Sequence, residues 1–136
     1  MIYNNYKLAK KLCNKHVFEV SSECLIPNPL MSVLYMTYNH ESYVEKALES
    51  ILMQNTDFNF EIVIADDCSS DRTQSILYWY QRQYPDKIRL LISNKNLWNF
   101  TGNGHITAIF YALLEAGKRS PYNALLEGDD SWTIEY

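Results

Sequence analysis

Residues 31–52, MSVLYMTYNHESYVEKALESIL, decide the class of fold. Residues 31–36 are rich in strand-forming side chains, and the polar turn TYNHES leads from them directly into a helix. In that helix apolar residues recur every three or four positions, at Val44, Ala47, Leu48, Ile51 and Leu52. This spacing places them on one buried stripe. A strand followed at once by an amphipathic helix is the building unit of an α/β domain.

The same alternation continues along the chain. Three further strands are predicted at residues 61–65, 87–92 and 123–126, with segments of helical period between them. Asp71 is placed to cap the helix after the second strand, with Gln74 as its capping-box partner. We therefore expect an α/β fold with a mostly parallel sheet and flanking helices. Right-handed crossovers put the ends of all four strands at one edge of that sheet.

Composition and charge exclude several classes of protein. Of the 136 residues 47% are hydrophobic and 21% are charged, which is typical of a globular chain. No apolar run approaches the roughly 20 residues of a membrane helix, and the first residues lack the apolar stretch of a secretory signal. A net charge of -4 argues against nucleic-acid binding. Cys13, Cys24 and Cys68 are odd in number and lack metal-binding spacing, which favours a reduced, cytoplasmic location.

Residues 1–29 precede the first predicted strand, and we interpret them as an N-terminal extension. Residues 30–136 then form the functional domain. Four lysines in the extension could form a basic helical face that associates weakly with a membrane surface; they are Lys7, Lys10, Lys11 and Lys15. We favour a solvated helix or a loose arm over membrane association by a factor of about three.

Polar and acidic residues follow three of the predicted strands at the point where each strand ends. They are Thr37, Tyr38 and Asn39 after the first strand, Asp66 and Asp67 after the second, and Glu127, Asp129 and Asp130 after the fourth. In an open α/β sheet, ligands bind beyond the carboxyl ends of the strands. Carboxylates gathered there repel one another unless a cation binds them, and carboxylate oxygens suit Mg²⁺ and Mn²⁺. A divalent cation that carries a ligand diphosphate is therefore expected.

The first and second turns suit the other end of such a ligand. A carboxylate in the second turn can accept a hydrogen bond from a nucleotide base, and Tyr38 offers a ring for stacking. Each feature alone also has an ordinary structural explanation. Paired aspartates often cap helices, a tyrosine is usually packed, and Gly128 could supply an unusual backbone angle to a tight turn. The occurrence of all three at successive strand ends favours a ligand site.

Three blocks of this sequence, MSVLYMTYNHESYVEKALESIL, IVIADDCSSDRT and NALLEGDDSWT, resemble in this order the blocks that mark family 2 glycosyltransferases. The similarity covers residues 31–133. The family that these blocks resemble includes many bacterial enzymes of surface-polysaccharide assembly. It implies the GT-A fold, which is Rossmann-like, and a nucleotide-sugar donor, usually a UDP-sugar, bound with Mn²⁺ or Mg²⁺. It also implies a saccharide or lipid-linked saccharide acceptor and a cytoplasmic enzyme, peripheral at most to the inner membrane face.

The resemblance assigns roles to the residues at the strand ends. Thr37, Tyr38 and Asn39 would line the base pocket, and Asp66 with Asp67 would contact the base or ribose. EGDD would be the DxD motif, with Asp129 and Asp130 nearest the ribose and the metal and with Glu127 where the family more often has Asp. The general base and most of the acceptor site of this family lie on a later segment, beyond Tyr136. The sequence is thus expected to be truncated after the DxD motif.

Three other functions share part of this sequence pattern. A truncated, catalytically inactive nucleotide-binding module fits a chain without the general base and acceptor site. A phosphoacceptor signalling domain requires an acidic pair after strand one and a lone aspartate after strand three. This chain has MTYN at the end of strand one and ISNKN at the end of strand three. A phosphatase of the haloacid dehalogenase type requires Asp-x-Asp directly after its first strand, and that motif is missing.

A loop at residues 98–104 is a further candidate border of the donor site because a helix follows it.

Overall fold

The computed structural model describes residues 2–98 and 108–133, with side chains from residue 6 onward. The elements in chain order are α1 (Ile2–His16), β1 (Val17–Val20), β2 (Met31–Thr37), α2 (Val44–Leu52), β3 (Phe60–Asp66), α3 (Thr73–Gln83), β4 (Ile88–Ser93), α4 (Ala108–Gly117) and β5 (Tyr122–Glu127). Each of the four predicted strands is present, to within one residue at either end.

The strands form one sheet in the order β1-β4-β3-β2-β5. Strands β2 to β5 are parallel, and β1 pairs antiparallel with β4. The predicted mostly parallel α/β sheet is therefore confirmed. All seven residues of the central strand β3 are buried, because α2 and α3 cover one face of the sheet and α4 covers the other.

The structure corrects the interpretation of the N-terminal extension as a solvated helix or loose arm. Helix α1 packs on α4 through Ala9 and Cys13, which are buried, and the Cys13 thiol donates a hydrogen bond to the carbonyl of Ala108. Strand β1 adds a fifth strand at the edge of the sheet. The sequence did not predict β1 because four residues are too few to show a strand period. The division at residue 30 into an extension and a functional domain stays a prediction.

The cap predicted for α3 is only partly correct. The Asp71 carboxylate accepts a hydrogen bond from the amide of Thr73 at 2.9 Å and from the amide of Glu41 at 3.1 Å. The helix begins at Thr73, so the N-cap position belongs to Arg72, which makes no side-chain cap. Gln74 is not the capping-box partner, because its amide donates to the Asp66 carboxylate at 2.7 Å.

A buried ionic cluster lies at the amino ends of the strands, away from the edge where ligands are expected. Glu61 is fully buried and accepts hydrogen bonds from Ser32 at 2.7 Å, Arg89 at 3.1 Å and Arg119 at 2.5 Å. Arg89 also pairs with Glu19 of β1 at 2.5 Å. The cluster connects the four strands β1 to β4 and compensates the buried charge of Glu61.

Candidate functional site

A cleft of about 550 Å³ opens at the carboxyl edge of the sheet. The described residues that line it are Met36, Thr37, Tyr38, His40, Asp67, Asn96, Trp98, Ile109, Glu127, Gly128 and Asp129. They come from the carboxyl ends of β2 and β5, from the turns after β2, β3 and β5, from the segment after β4 and, for Ile109, from α4. The cleft thus brings together residues of all three turns singled out in the sequence.

The turn after β2 places its three polar residues differently. Thr37 is buried, with its hydroxyl 3.2 Å from Nδ1 of His40, and the Tyr38 ring is 44% exposed at the cleft. Asn39 is not among the cleft-lining residues. Its side-chain oxygen accepts the amide of Ser70 at 2.8 Å, and its own amide donates to the Ser69 hydroxyl at 2.9 Å. Asn39 therefore joins the first turn to the second.

The two aspartates after β3 hold different parts of the site. Asp66 is fully buried, and its carboxylate accepts hydrogen bonds from the amide and hydroxyl of Ser69 and from Gln74, which shapes its own turn. Asp67 does line the cleft. Its carboxylate accepts the amides of Leu97 at 2.7 Å and Trp98 at 3.1 Å. Asp67 thereby fixes the segment after β4 against the cleft.

Burial raises the pKa of the Asp67 carboxyl above its ordinary value. The two amide hydrogen bonds act in the opposite direction, since they stabilise the ionised form, and the neighbouring charge of Asp66 adds a smaller upward shift. The side chain is only 3% exposed, so its charge relies on these amides rather than on water.

Three carboxylates gather at the carboxyl end of β5 and in the turn that follows it. One oxygen from each of Glu127, Asp129 and Asp130 lies within 4.8 Å of the others, and all three residues are exposed. The backbone closes a turn through the amide of Asp130, which donates to the carbonyl of Glu127 at 3.0 Å. Oxygen ligands on one short turn, open to a cleft, fit a hard divalent cation that also binds a substrate. The donor set therefore fits Mn²⁺ or Mg²⁺.

The need for glycine at position 128 has a different origin from the one predicted. The sequence suggested an unusual backbone angle, but the φ of Gly128 lies outside the left-handed region. A Cβ atom added there would lie 2.0 Å from Nδ1 of His40 and 2.9 Å from the carbonyl oxygen of Met36. On the other side, the buried Tyr35 hydroxyl donates to the Gly128 carbonyl at 2.8 Å. Glycine is required by close packing of the turn against β2 and His40.

Comparison with known proteins shows the family. The sequence pattern described as "Glycosyl transferase family 2" matches residues 32–136. This chain belongs to glycosyl transferase family 2. The family inferred from the three sequence blocks is thus confirmed.

Relatives of this family 2 chain include TuaG of Bacillus subtilis, a glycosyltransferase named for teichuronic acid biosynthesis, which is 35% identical over 104 residues. That alignment covers 76% of this chain and 37% of TuaG. Residues 1–349 of TarS from S. aureus, crystallised in complex with UDP-GlcNAc, superimpose with a TM-score of 0.59 at 28% identity. They cover 74% of this chain and 27% of that one.

A mannosyltransferase from Pyrobaculum calidifontis, PcManGT, matches the fold over 98% of this family 2 chain and 36% of its own, with a TM-score of 0.58 at 21% identity. The expected GT-A fold is confirmed by these structures. The chain spans 27% to 37% of the length of these three proteins.

Sequence reasoning missed one residue of the family 2 site and indicated another. His40 lines the cleft and contacts Gly128, although the sequence did not single this histidine out. Its place in the same turn as Thr37 and Tyr38 was the available signal. Trp98 also lines the cleft, as the predicted loop border suggested, but residues 99–104 of that loop lie outside the described residues.

Proposed function

We propose that this chain binds the nucleotide-sugar donor of a glycosyltransferase, with a UDP-sugar as the donor and a divalent cation at the acidic turn. The observation that carries the proposal is the cleft, which has an exposed aromatic residue at one turn and the carboxylates of Glu127 and Asp129 at another, where they cluster with the adjacent Asp130. Such a pairing suits a ligand with a planar base at one end and a diphosphate at the other. TarS, which shares the fold at 28% identity, was crystallised with UDP-GlcNAc.

The base end is assigned to the first two turns. The exposed ring of Tyr38 provides the stacking surface, with Thr37 beside it. The carboxylate of Asp67 faces the same cleft and has lone pairs beyond those used by the two amides. Asp66 and Asn39 act through the shape of the turns. Their predicted direct contacts with the ligand stay predictions.

The diphosphate end is assigned to Glu127, Asp129 and Asp130. None of the described cleft-lining residues is a lysine or arginine, so this part of the cleft has no such cationic side chain to neutralise a diphosphate. Asp129 and Asp130 would hold the cation, and Glu127 is close enough to join them. When bound, Mn²⁺ or Mg²⁺ supplies the charge that stabilises a departing nucleoside diphosphate.

The complete reaction is proposed as direct displacement at the anomeric carbon with inversion, in which an acceptor hydroxyl of a saccharide or lipid-linked saccharide is the nucleophile. A carboxylate base would take the proton of that hydroxyl. No described residue is assigned to that role. The alternative of a nucleotide-binding module without turnover differs in one result, because it binds UDP but releases none from a UDP-sugar.

A calorimetric titration of UDP into the purified chain tests the donor site. We expect saturable binding with Mn²⁺ and a loss of at least about 100-fold in affinity, or about 2.7 kcal/mol, when EDTA removes the metal. Asp129→Ala with Asp130→Ala should give the same loss in the presence of Mn²⁺. GDP in place of UDP should bind more weakly.

The matched control is Asp57→Ala, which removes an exposed carboxylate on the loop before β3. It should leave the affinity unchanged. Absence of UDP binding by the wild-type chain, or binding that is equal with Mn²⁺ and EDTA, contradicts the proposal.

Weak association with a membrane surface is proposed for α1. The side chains of Lys7, Lys10, Lys11 and Lys15 are exposed on this helix, whose sequence holds no acidic residue. Among the described residues no helix is long and apolar enough to cross a membrane. Each lysine near an anionic surface contributes about 1 kcal/mol, so a few of them suffice for reversible binding. The cytoplasmic location stays a prediction.

Sedimentation with lipid vesicles tests this association. We expect the chain to pellet with phosphatidylglycerol vesicles at low salt, to remain in solution with phosphatidylcholine vesicles, and to be released by 0.5 M salt, where charges about 5 Å apart are already screened. Lys11→Glu with Lys15→Glu should abolish pelleting, whereas Lys46→Glu, on the exposed side of α2, should not. Equal pelleting with both lipids argues against a basic docking face.

A further inference from the structure

His40 contacts both ends of the proposed donor site. We propose that His40 is a positioning residue that locks the acidic turn of residues 127–130 to the base turn of residues 37–39, so that the base and the cation–diphosphate bind cooperatively. The inference rests on the proposed function, because it concerns the same donor. In this role His40, which lies outside the acidic motif, determines the position of that motif.

On the side of the base turn, Nδ1 of His40 lies 3.2 Å from the amide nitrogen of Tyr38 and 3.2 Å from the hydroxyl of Thr37. A backbone N–H can only donate, so Nδ1 accepts and the ring proton is on Nε2. The imidazole is thereby held in one tautomer and one orientation by the residues that border the base end of the cleft.

On the side of the acidic turn, the same edge of the ring lies against Gly128. A Cβ atom on Gly128 would be 2.0 Å from Nδ1 and 2.5 Å from Cε1 of His40. Heavy atoms cannot approach so closely, so the ring occupies the space that any other residue at this position would need. The Tyr35 hydroxyl donates a hydrogen bond to the Gly128 carbonyl, so the acidic turn is held between β2 and the His40 ring.

The backbone of His40 is anchored independently of its ring. Its amide donates to the hydroxyl of Thr73 at 2.9 Å, and its carbonyl accepts the amides of Tyr43 at 2.9 Å and Val44 at 3.0 Å. These bonds connect it to the starts of α2 and α3, and they persist when the side chain is removed. A His40→Ala chain is therefore expected to fold while the contact between the two turns is lost.

The test is the factor by which Mn²⁺ increases UDP affinity, measured by calorimetry together with the affinity for uridine, which carries no phosphate. For His40→Ala we expect this factor to fall at least tenfold, or about 1.4 kcal/mol of coupling, and uridine affinity to change by less than about threefold. His40→Asn should recover most of the factor, because Asn Oδ1 can accept the Tyr38 amide in place of Nδ1. His16→Ala, a histidine bonded to Asn94 outside the cleft lining, is the matched control.

Gly128→Ala tests the contact from the other side and serves also if His40→Ala does not fold. The added methyl group should reduce the Mn²⁺ factor at least tenfold. His40→Ala combined with Gly128→Ala should lower the factor by less than the product of the two single losses, since both substitutions break the same contact. A wild-type chain that binds no UDP refutes the proposed function itself. Metal-dependent binding by the wild type with an unchanged factor in His40→Ala, or with equal losses for UDP and uridine, overturns the role of His40 and leaves the proposed function standing.

Discussion

Glu61→Gln is expected to lower the free energy of unfolding by about 3 kcal/mol. Glu61 is fully buried between Arg89 and Arg119, and the substitution leaves two guanidinium groups without the carboxylate that neutralises them. Arg89 retains Glu19 as a partner, and Arg119 is 30% exposed, so part of the cost is offset by these contacts and by water. Urea denaturation at pH 7, followed by far-ultraviolet circular dichroism, measures the loss.

The control for Glu61 is Glu23→Gln, an exposed residue between β1 and β2, which should change stability by less than about 0.5 kcal/mol. Glu61→Gln combined with Arg119→Gln should cost less than the sum of the two single substitutions, because each removes the same interaction. A loss below about 1 kcal/mol for Glu61→Gln would show that the arginines reach water when the carboxylate is neutralised.

Leu34→Ala should destabilise the chain by about 2 to 5 kcal/mol. Leu34 lies in β2 with no exposed surface, and it packs in the cluster formed with Val63, Leu91, Ile109 and Leu113 beneath α4. Its removal leaves a cavity in the layer that joins the sheet to α4, and a packed layer of this kind closes only partly around a void. The shift of the urea midpoint at constant slope gives the value.

Leu125→Ala is a closely matched control, because Leu125 pairs with Leu34 across β5 and β2. The two leucines are neighbours in register, but Leu125 is 58% exposed on the edge strand. Leu125→Ala should lower the free energy of unfolding by less than about 1 kcal/mol, since it removes little buried apolar area. Equal losses at the two positions would mean that burial in the α4 layer is not what stabilises this part of the sheet.

The residues after the strands were predictable because parallel strands connected by right-handed crossovers end at one edge. Thr37, Tyr38, Asp67 and the acidic turn do lie at one cleft. The sequence did not distinguish residues that face the cleft from residues that shape it. Asp66 and Asn39 have the same chemistry as ligand-binding residues, and only the positions of Ser69, Ser70 and Gln74 direct their oxygens into the turn.

The role of Gly128 shows the same limit. Glycine in an acidic turn indicates either a left-handed backbone angle or a close contact, and the one-dimensional pattern is identical for both. The contact joins His40, in the turn after β2, to Gly128, in the turn after β5. No local periodicity in the sequence indicates a contact between residues so far apart. For the same reason the hydrogen bond between Cys13 and Ala108, 95 positions apart, and the pairing of β1 with β4 were not predictable.

The amino-acid sequence by itself determined the order of strands and helices from residue 31 onward, the α/β class, the family and the carboxylates of the acidic turn, because these depend on local periodicity and on residue type. Tertiary structure alone decided that α1 and β1 join the sheet, that Asp67 holds the segment after β4, and that the His40 ring meets Gly128. Each of these is a contact between segments far apart in the chain, and such contacts are selected by packing of the whole core rather than by any one stretch of sequence.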